Sequence, residues 1–411
     1  MARRMEAPEG WKISLLDSVT KRGSGHTPDK EHPEYWNGGI KWVSLADSHR
    51  LDAGTISETD KETSELGIAK SSAVVHPSGT VILSRDAGVG KSAVLDGDMA
   101  VSQHFIAWRC SPSLGLQNWF LYSWLQFNKR EFERQAVGST IKTIGLPYFK
   151  RLQICYPPYA EQSAIVEIIR TWDRAIETVE ALIANARAQR QALMQQLLSG
   201  KHRLPGFSGE WQRKPINEIA TRVTRRNDGT ELPVLTISST SGFVRQDEKY
   251  SRYMAGKSVE TYIMLNEGEF AYNKGNSKTY EFGCIFDLEG YERALVPHVY
   301  VCFKLRKGYS HRFYKALFEA DYLAPQLGRL VNTGVRNNGL LNIKPSEFLG
   351  TRVPVPPIDE QDAIAAVMEA ASRTVIEYET QLAALRQEKA ALMQQLLTGK
   401  RRVKLPESEV A

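Results

Sequence analysis

The sequence predicts an α+β protein organised twice over, with two mixed domains that each run into a long helix and two helices that pair as a coiled coil. Three observations carry this. "ALMQQLLSGK" at Ala192–Lys201 has a near copy, "ALMQQLLTGK", at Ala391–Lys400, 199 positions later. The match extends leftward without a gap to the proline pairs beginning at Pro157 and Pro356. Each repeat is preceded by a region that opens on a tryptophan and closes on an extended apolar segment, "YFKRLQICYPP" in the first and "EFLGTRVPVPP" in the second. The expected segments are 1–156, a long helix over 157–203, 204–355, a second long helix over 356–402, and a basic-to-acidic tail, 403–411.

The first region starts at "WKISLLDSV". Within it "IKWVSLADS", "GTVILSRD" and "SQHFIAWRC" read as short strands, and "QNWFLYSWLQFNKREFERQ" as a single helix. About 145 residues is a comfortable size for one domain.

The first long helix follows. A proline pair is tolerated at a helix start, and the acidic Glu161 suits the positive end of the macrodipole. Apolar residues then recur at alternating spacings of four and three: Ile165, Ile169, Trp172, Ile176, Val179, Ile183 and Ala186, then Leu193 and Leu197. Gly200 is a natural stop. The second helix repeats the pattern with Ile364, Met368, Ala371, Val375, Tyr378, Leu382 and Leu385, then Leu392 and Leu396, stopping at Gly399. One basic interruption falls at the same place in both, Arg190 and Lys389.

A stripe of this length would be wet on a solitary helix, so the two helices most economically bury it against each other. The basic residue sits near the end of the packed region, its stem covering apolar surface, or helps to fix register. A helix of roughly 38 residues is about 57 Å long, against about 34–36 Å for one turn of duplex DNA.

The second region starts at "WQRKPINEIA". "LPVLTIS", "EFAYNK" and "VPHVYVCFKL" read as strands, and "SHRFYKALFEADYLAPQL" as a single helix. Its interior shares little with that of the first, which implies matching placement but different targets.

Composition narrows the function. The 411 residues carry a formal charge of +6, 42% hydrophobic and 24% charged residues, which is ordinary for a folded soluble chain with a tilt toward polyanions. No apolar run of 18 residues and no signal peptide are visible. Cys110, Cys155, Cys284 and Cys302 form no CxxC pair and read as reduced thiols of a cytoplasmic protein. The eight histidines fit no metal spacing.

Two motifs fail on inspection. "AGVGKSAV" is similar to a phosphate-binding loop, but the required first glycine is Arg85. "CYPPY" has Tyr156 where an amino-methyltransferase carries a short polar acceptor, and no G-x-G-x-x-G follows a predicted strand. No catalytic, cofactor or metal residue is therefore assigned.

Polar, basic loops are left as candidate DNA contacts, since Arg and Lys reach guanine edges or phosphates and Asn reads adenine edges. In the first region they carry Lys21, Arg22, Ser24, His26, Thr27, Arg85, Lys91, Ser139, Thr140 and Lys142. In the second they carry Arg225, Arg226, Asn273, Lys274, Asn276, Lys278, Arg336, Asn337 and Asn338.

With the duplicated order on the page (Trp-led region, "PPYAEQ" and "LLSGK", then Trp-led region, "PPIDEQ" and "LLTGK"), the chain resembles the specificity subunit of type I restriction-modification systems over essentially its whole length. "SGHTPDKEHPEYWNGGIKWVSLAD", Ser24–Asp47, looks like the start of that family's target recognition domains. The second region departs from this, with "TRRNDGTELPVLTIS" in the corresponding place.

The resemblance implies two inverted target recognition domains, separated by two antiparallel helices, that read the halves of a split site in double-stranded DNA. It implies a chain without catalysis or a cofactor of its own. Its partners would be two methyltransferase subunits, which use S-adenosylmethionine, and restriction subunits, which use ATP and Mg2+. The competing expectation is a coiled-coil protein-interaction scaffold without DNA specificity.

Overall fold

The computed structural model describes residues 6–249, 256–275, 277–331 and 341–404. They divide into two compact units. The first runs to Glu180 and resumes at Thr380, and the second is Ala181–Glu379. The division falls inside both long helices.

In the first unit, a five-stranded sheet has the order Lys21–Ser24, Phe105–Arg109, Val81–Ser84, Ser92–Leu95, Thr55–Ile56. Its three central strands are antiparallel neighbours, and Val81–Ser84 is buried along its whole length, as an apolar run in a sheet centre should be. A four-stranded sheet, Lys61–Thr63, Trp36–Val43, Met99–Val101, Val75–His76, completes the β layer. The helix Asn118–Phe127 puts Phe120, Leu121 and Leu125 into one core with Val81, Leu83, Ile106 and Trp108.

Residues 117–135 were expected as one helix, but there are two, Asn118–Phe127 and Lys129–Gln135. Asn128 separates them. Its side-chain amide donates to the Trp124 carbonyl at 2.8 Å, which caps the first helix.

The second unit holds a four-stranded antiparallel sheet, Ala220–Val223, Val301–Leu305, Phe270–Asn273, Cys284–Asp287, and two ribbons, Leu235–Ser238 with Gly242–Arg245 and Ile263–Asn266 with Arg293–Val296. The stretch "VPHVYVCFKL" is not one strand. Pro297 has no N–H for a ladder, and a turn closed by Tyr300 N on Pro297 O divides Arg293–Val296 from Val301–Leu305. The expected single helix over 310–327 is likewise two, His311–Glu319 and Ala324–Leu330. Asp321 between them is left-handed at φ +54°, and Pro325 lies in the first turn of the second.

Each unit is closed by a strand pair at the foot of its long helix, Lys12–Leu15 with Gln153–Tyr156 and Gln212–Pro215 with Arg352–Val355. The long helices are Tyr159–Leu197 and Ile358–Leu396, 39 residues each. In the first unit Asp173 pairs with Lys389 and Glu180 with Arg386. In the second, Arg187 pairs with Glu379 and Arg190 with Ser372. Partner numbers fall as helix numbers rise, so within each unit the two helix segments run antiparallel.

Candidate nucleic-acid interface and helix joints

The repeated residues make the same joint in each unit. In the second, the buried Glu360 takes Nε and a terminal nitrogen of Arg203 at 2.6 Å each, and Trp211 Nε1 at 3.0 Å. In the first, the buried Glu161 takes the same two nitrogens of Arg402 at 2.7 Å each, with Val403 N at 3.4 Å. Bidentate Arg–carboxylate pairs fix direction as well as distance. The neighbouring Gln162 and Gln361 are buried too. Gln162 donates to Pro157 O and Gly115 O and accepts from Gln117 N; Gln361 donates to Pro356 O and accepts from Ser310 N. Each amide thus ties its proline pair to the start of the shorter helix packed beside it.

The leading tryptophans find their reason here. Gly200 and Gly399 have φ near +70°, and a side chain on Gly200 would strike the Trp211 ring at 2.9 Å; one on Gly399 would meet Pro8 at 2.6 Å and the Trp11 ring at 3.2 Å. The helix stop and the start of the domain are therefore packed together. The joints differ in detail: Val403 N reaches Glu161 in the first, while Trp211 Nε1 reaches Glu360 in the second and Trp11 Nε1 has no partner among the described residues.

Along the seam, Ile165, Ile169, Val179, Ile183, Ala186, Leu197, Ile364, Met368 and Leu396 are buried. Trp172, Ile176, Leu193, Ala371, Val375, Tyr378, Leu382, Leu385 and Leu392 are half-buried. The basic interruptions are both partnered: Lys389 by Asp173, and Arg190 by Ser372 at 2.8 Å and by Glu319 at 3.6 Å. Burial raises the Glu319 carboxyl, against the pull of Lys315 and Arg190.

The basic loops of the first unit gather around residues 101–104. His26 N donates to Val101 O at 3.0 Å, and the Thr27 hydroxyl to Gln103. Arg85 N donates to His104 O at 2.9 Å, while Asp86 accepts from His104 Nδ1 at 2.8 Å. Lys142 joins the same cluster through Ala87 N on its carbonyl and the bridge between Asp86 and Thr143. Ser139, Thr140 and Lys142 are exposed on a hairpin beside Arg85. Lys91 stands apart, its ammonium on Ser48 O at 2.8 Å.

Lys21, Arg22 and Ser24 lie on the sheet-edge strand and line a groove of about 530 Å³ with Arg109, Lys150 and His76. Arg22 faces Asp17 at 3.1 Å. His76 is buried, which lowers its pKa, and Gly23 has no room for a side chain against its ring. Arg109 and Lys150 were not among the sequence candidates. Arg109 pairs with Lys21 across a strand ladder that residue type alone does not disclose.

In the second unit, Arg225 is held by the buried Glu269, and Arg226 bridges to Ile263. Asn273 turns its carbonyl to Gly275 N at 3.0 Å, and Lys274 O accepts from Leu341 N. Lys278 is exposed. Asn276, Arg336, Asn337 and Asn338 lie outside the described residues.

Among the described residues no group of three or more His, Cys, Asp and Glu is placed to hold a metal, and no helix is long and apolar enough to cross a membrane. Burial pushes the Cys110 and Cys302 thiols up to about 12, away from thiolate chemistry.

Comparison with known proteins supplies the context. Residues 8–186 match the family model of the type I restriction modification DNA specificity domain. The MjaIX type I restriction enzyme specificity subunit of Methanocaldococcus jannaschii is 24% identical over 172 residues, a match that spans 41% of this chain and 39% of that relative. The fold is similar to the type I S subunit of M. genitalium, with TM-score 0.54, 15% identity, and 96% and 97% of the two chains covered. It is similar to the HsdS subunit of Thermoanaerobacter tengcongensis, with TM-score 0.54, 17% identity, and 97% and 99% covered. A chain from a structure of the assembly and conformational transition of a type I R-M system gives TM-score 0.59 at 17% identity, with 96% and 100% covered. The family model thus matches the first part of the chain, residues 8–186, while the similarity to type I S subunits over nearly the whole chain is one of fold.

Proposed function

We propose that this chain is the DNA-recognition subunit of a type I restriction-modification complex. It reads a bipartite site in duplex DNA, with residues 1–156 serving one half and residues 204–355 the other. The observation that carries this is the repeated joint. Glu161 with Arg402 and Glu360 with Arg203 are the same bidentate contact at positions 199 apart, so one framework is used twice around interiors that differ. Duplicated placement with divergent loops is what reading two different half-sites requires.

In this reading the chain is non-catalytic. It docks two methyltransferase subunits, which bring S-adenosylmethionine, and restriction subunits, which bring ATP and Mg2+. The helices set the gap between half-sites. Arg85, Lys142, His26 and Thr27 serve the first half, and Lys278 with the other basic loops of the second region serves the second.

The test is enrichment of a random duplex library on the chain copurified with its methyltransferase partner. A split motif is expected. Binding without any motif, or salt-insensitive partner binding with no DNA retained, would favour the protein-interaction scaffold instead.

A further inference from the structure

Val137 and Ile141 are among the most exposed large apolar side chains of the described residues, at 73% and 58%. They sit on one short hairpin. Val137 and Thr143 exchange both backbone hydrogen bonds, N to O at 3.0 Å and 2.9 Å, and five residues form the loop. Gly138 makes the turn at φ +129°, where a side chain would lie 2.2 Å from the Ile141 carbonyl oxygen.

The hairpin is anchored as well as closed. Ile144 is buried and its N–H bonds to Arg85 O at 2.9 Å, while Ala87 N bonds to Lys142 O. An apolar tip held this firmly in water is a contact surface awaiting a partner.

The tip's chemistry selects the partner. Residues 136–142 hold no acidic side chain, and Ile141 falls in sequence between the hydroxyls of Ser139 and Thr140 and the ammonium of Lys142. At the base of the hairpin, Arg85 O accepts from Ile144 N and the Arg85 side chain faces Asp86 at 3.8 Å. Hydroxyls and cations suit base edges and phosphates. The major groove, about 12 Å wide, admits a two-stranded β-ribbon, and the one apolar group it offers is the thymine methyl.

We propose that Ile141 makes apolar contact with a thymine methyl in the half-site read by the first unit, and so determines the base at that position. This rests on the DNA-reading function proposed above and adds a specificity-determining residue to it.

The experiment uses the full chain with its methyltransferase partner, on the motif that the wild-type complex enriches. Each thymine of the first half-site is replaced in turn by deoxyuridine, which removes only the methyl. One replacement is expected to weaken wild-type binding about four-fold, the worth of one buried methyl group. That replacement leaves Ile141→Ala unaffected, and Ile141→Ala relaxes selectivity at that base pair without changing the salt dependence. Equal responses of wild type and Ile141→Ala at every thymine overturn the inference, as does a half-site with no A·T pair. Failure of the wild-type complex to enrich any motif overturns the DNA-reading function itself, so the two failures are distinguishable.

Discussion

Arg203 grips the Glu360 carboxylate through two parallel hydrogen bonds of 2.6 Å. The carboxylate is fully buried, at 0% exposure, so removing the guanidinium strands a charge away from water. Arg203→Ala is expected to cost about 3 kcal/mol, read as a lower urea midpoint at unchanged slope. Arg402→Ala should cost less. Its side chain is 42% exposed against 20% for Arg203, and Val403 N remains on Glu161. Equal losses would show that burial does not set the strength of these joints.

Gln361 is an amide for a definite reason. Its NH2 meets Pro356 O at 2.8 Å, and its carbonyl meets Ser310 N at 2.9 Å. Gln361→Glu turns the donor into a second acceptor facing a carbonyl, and about 2–3 kcal/mol of stability should go. The deficit should shrink in acid, where the new carboxyl protonates and donates again. A deficit that does not change with pH would refute this geometry.

Burial pushes the Asp321 carboxyl up to about 6 from an ordinary value near 3.8. The folded state therefore holds its proton more tightly than the unfolded chain does. This contribution favours folding at low pH and is lost as pH rises from about 4 to about 6. Asp321→Asn removes the charge and suits the left-handed backbone. At pH 7 it should stabilise by about 1 kcal/mol, a modest figure because water still reaches the carboxyl. The gain should vanish near pH 4 in thermal melts.

The two halves of the proposed site should be separable. Lys142→Ala should weaken binding through the first half-site and Lys278→Ala through the second. Each should reduce the slope of log K against log salt by about one if its contact is to phosphate. Titration of duplexes with one half-site scrambled measures this, and losses shared equally between halves would refute the assignment.

The long helices were legible because a heptad stripe is local and, here, written twice. Their direction was not, since Arg203 meeting Glu360 is a contact across 157 positions that no periodicity encodes. The helix breaks were missed for a related reason. Asn128 and Asp321 sit in stretches whose apolar spacing runs straight through them, and only the Asn128 cap and the Asp321 turn end the helices there. Arg85 and Lys142 stood in separate basic loops of the sequence. What joins them is a backbone ladder through Asp86 and Thr143, which side-chain chemistry cannot announce. Arg109 and Lys150 escaped notice because one lies in a strand and the other in a helix rather than in a basic loop.

Leu396 and Leu397 belong to the same core as Trp11, Phe120 and Ile165. The first unit is thus assembled from two separate segments, and the second is the uninterrupted stretch between them. During synthesis the second unit can settle once Glu379 has emerged, whereas the first stays open until the segment from Thr380 follows it. A chain interrupted after Glu379 would keep a finished second unit and an unsealed first one.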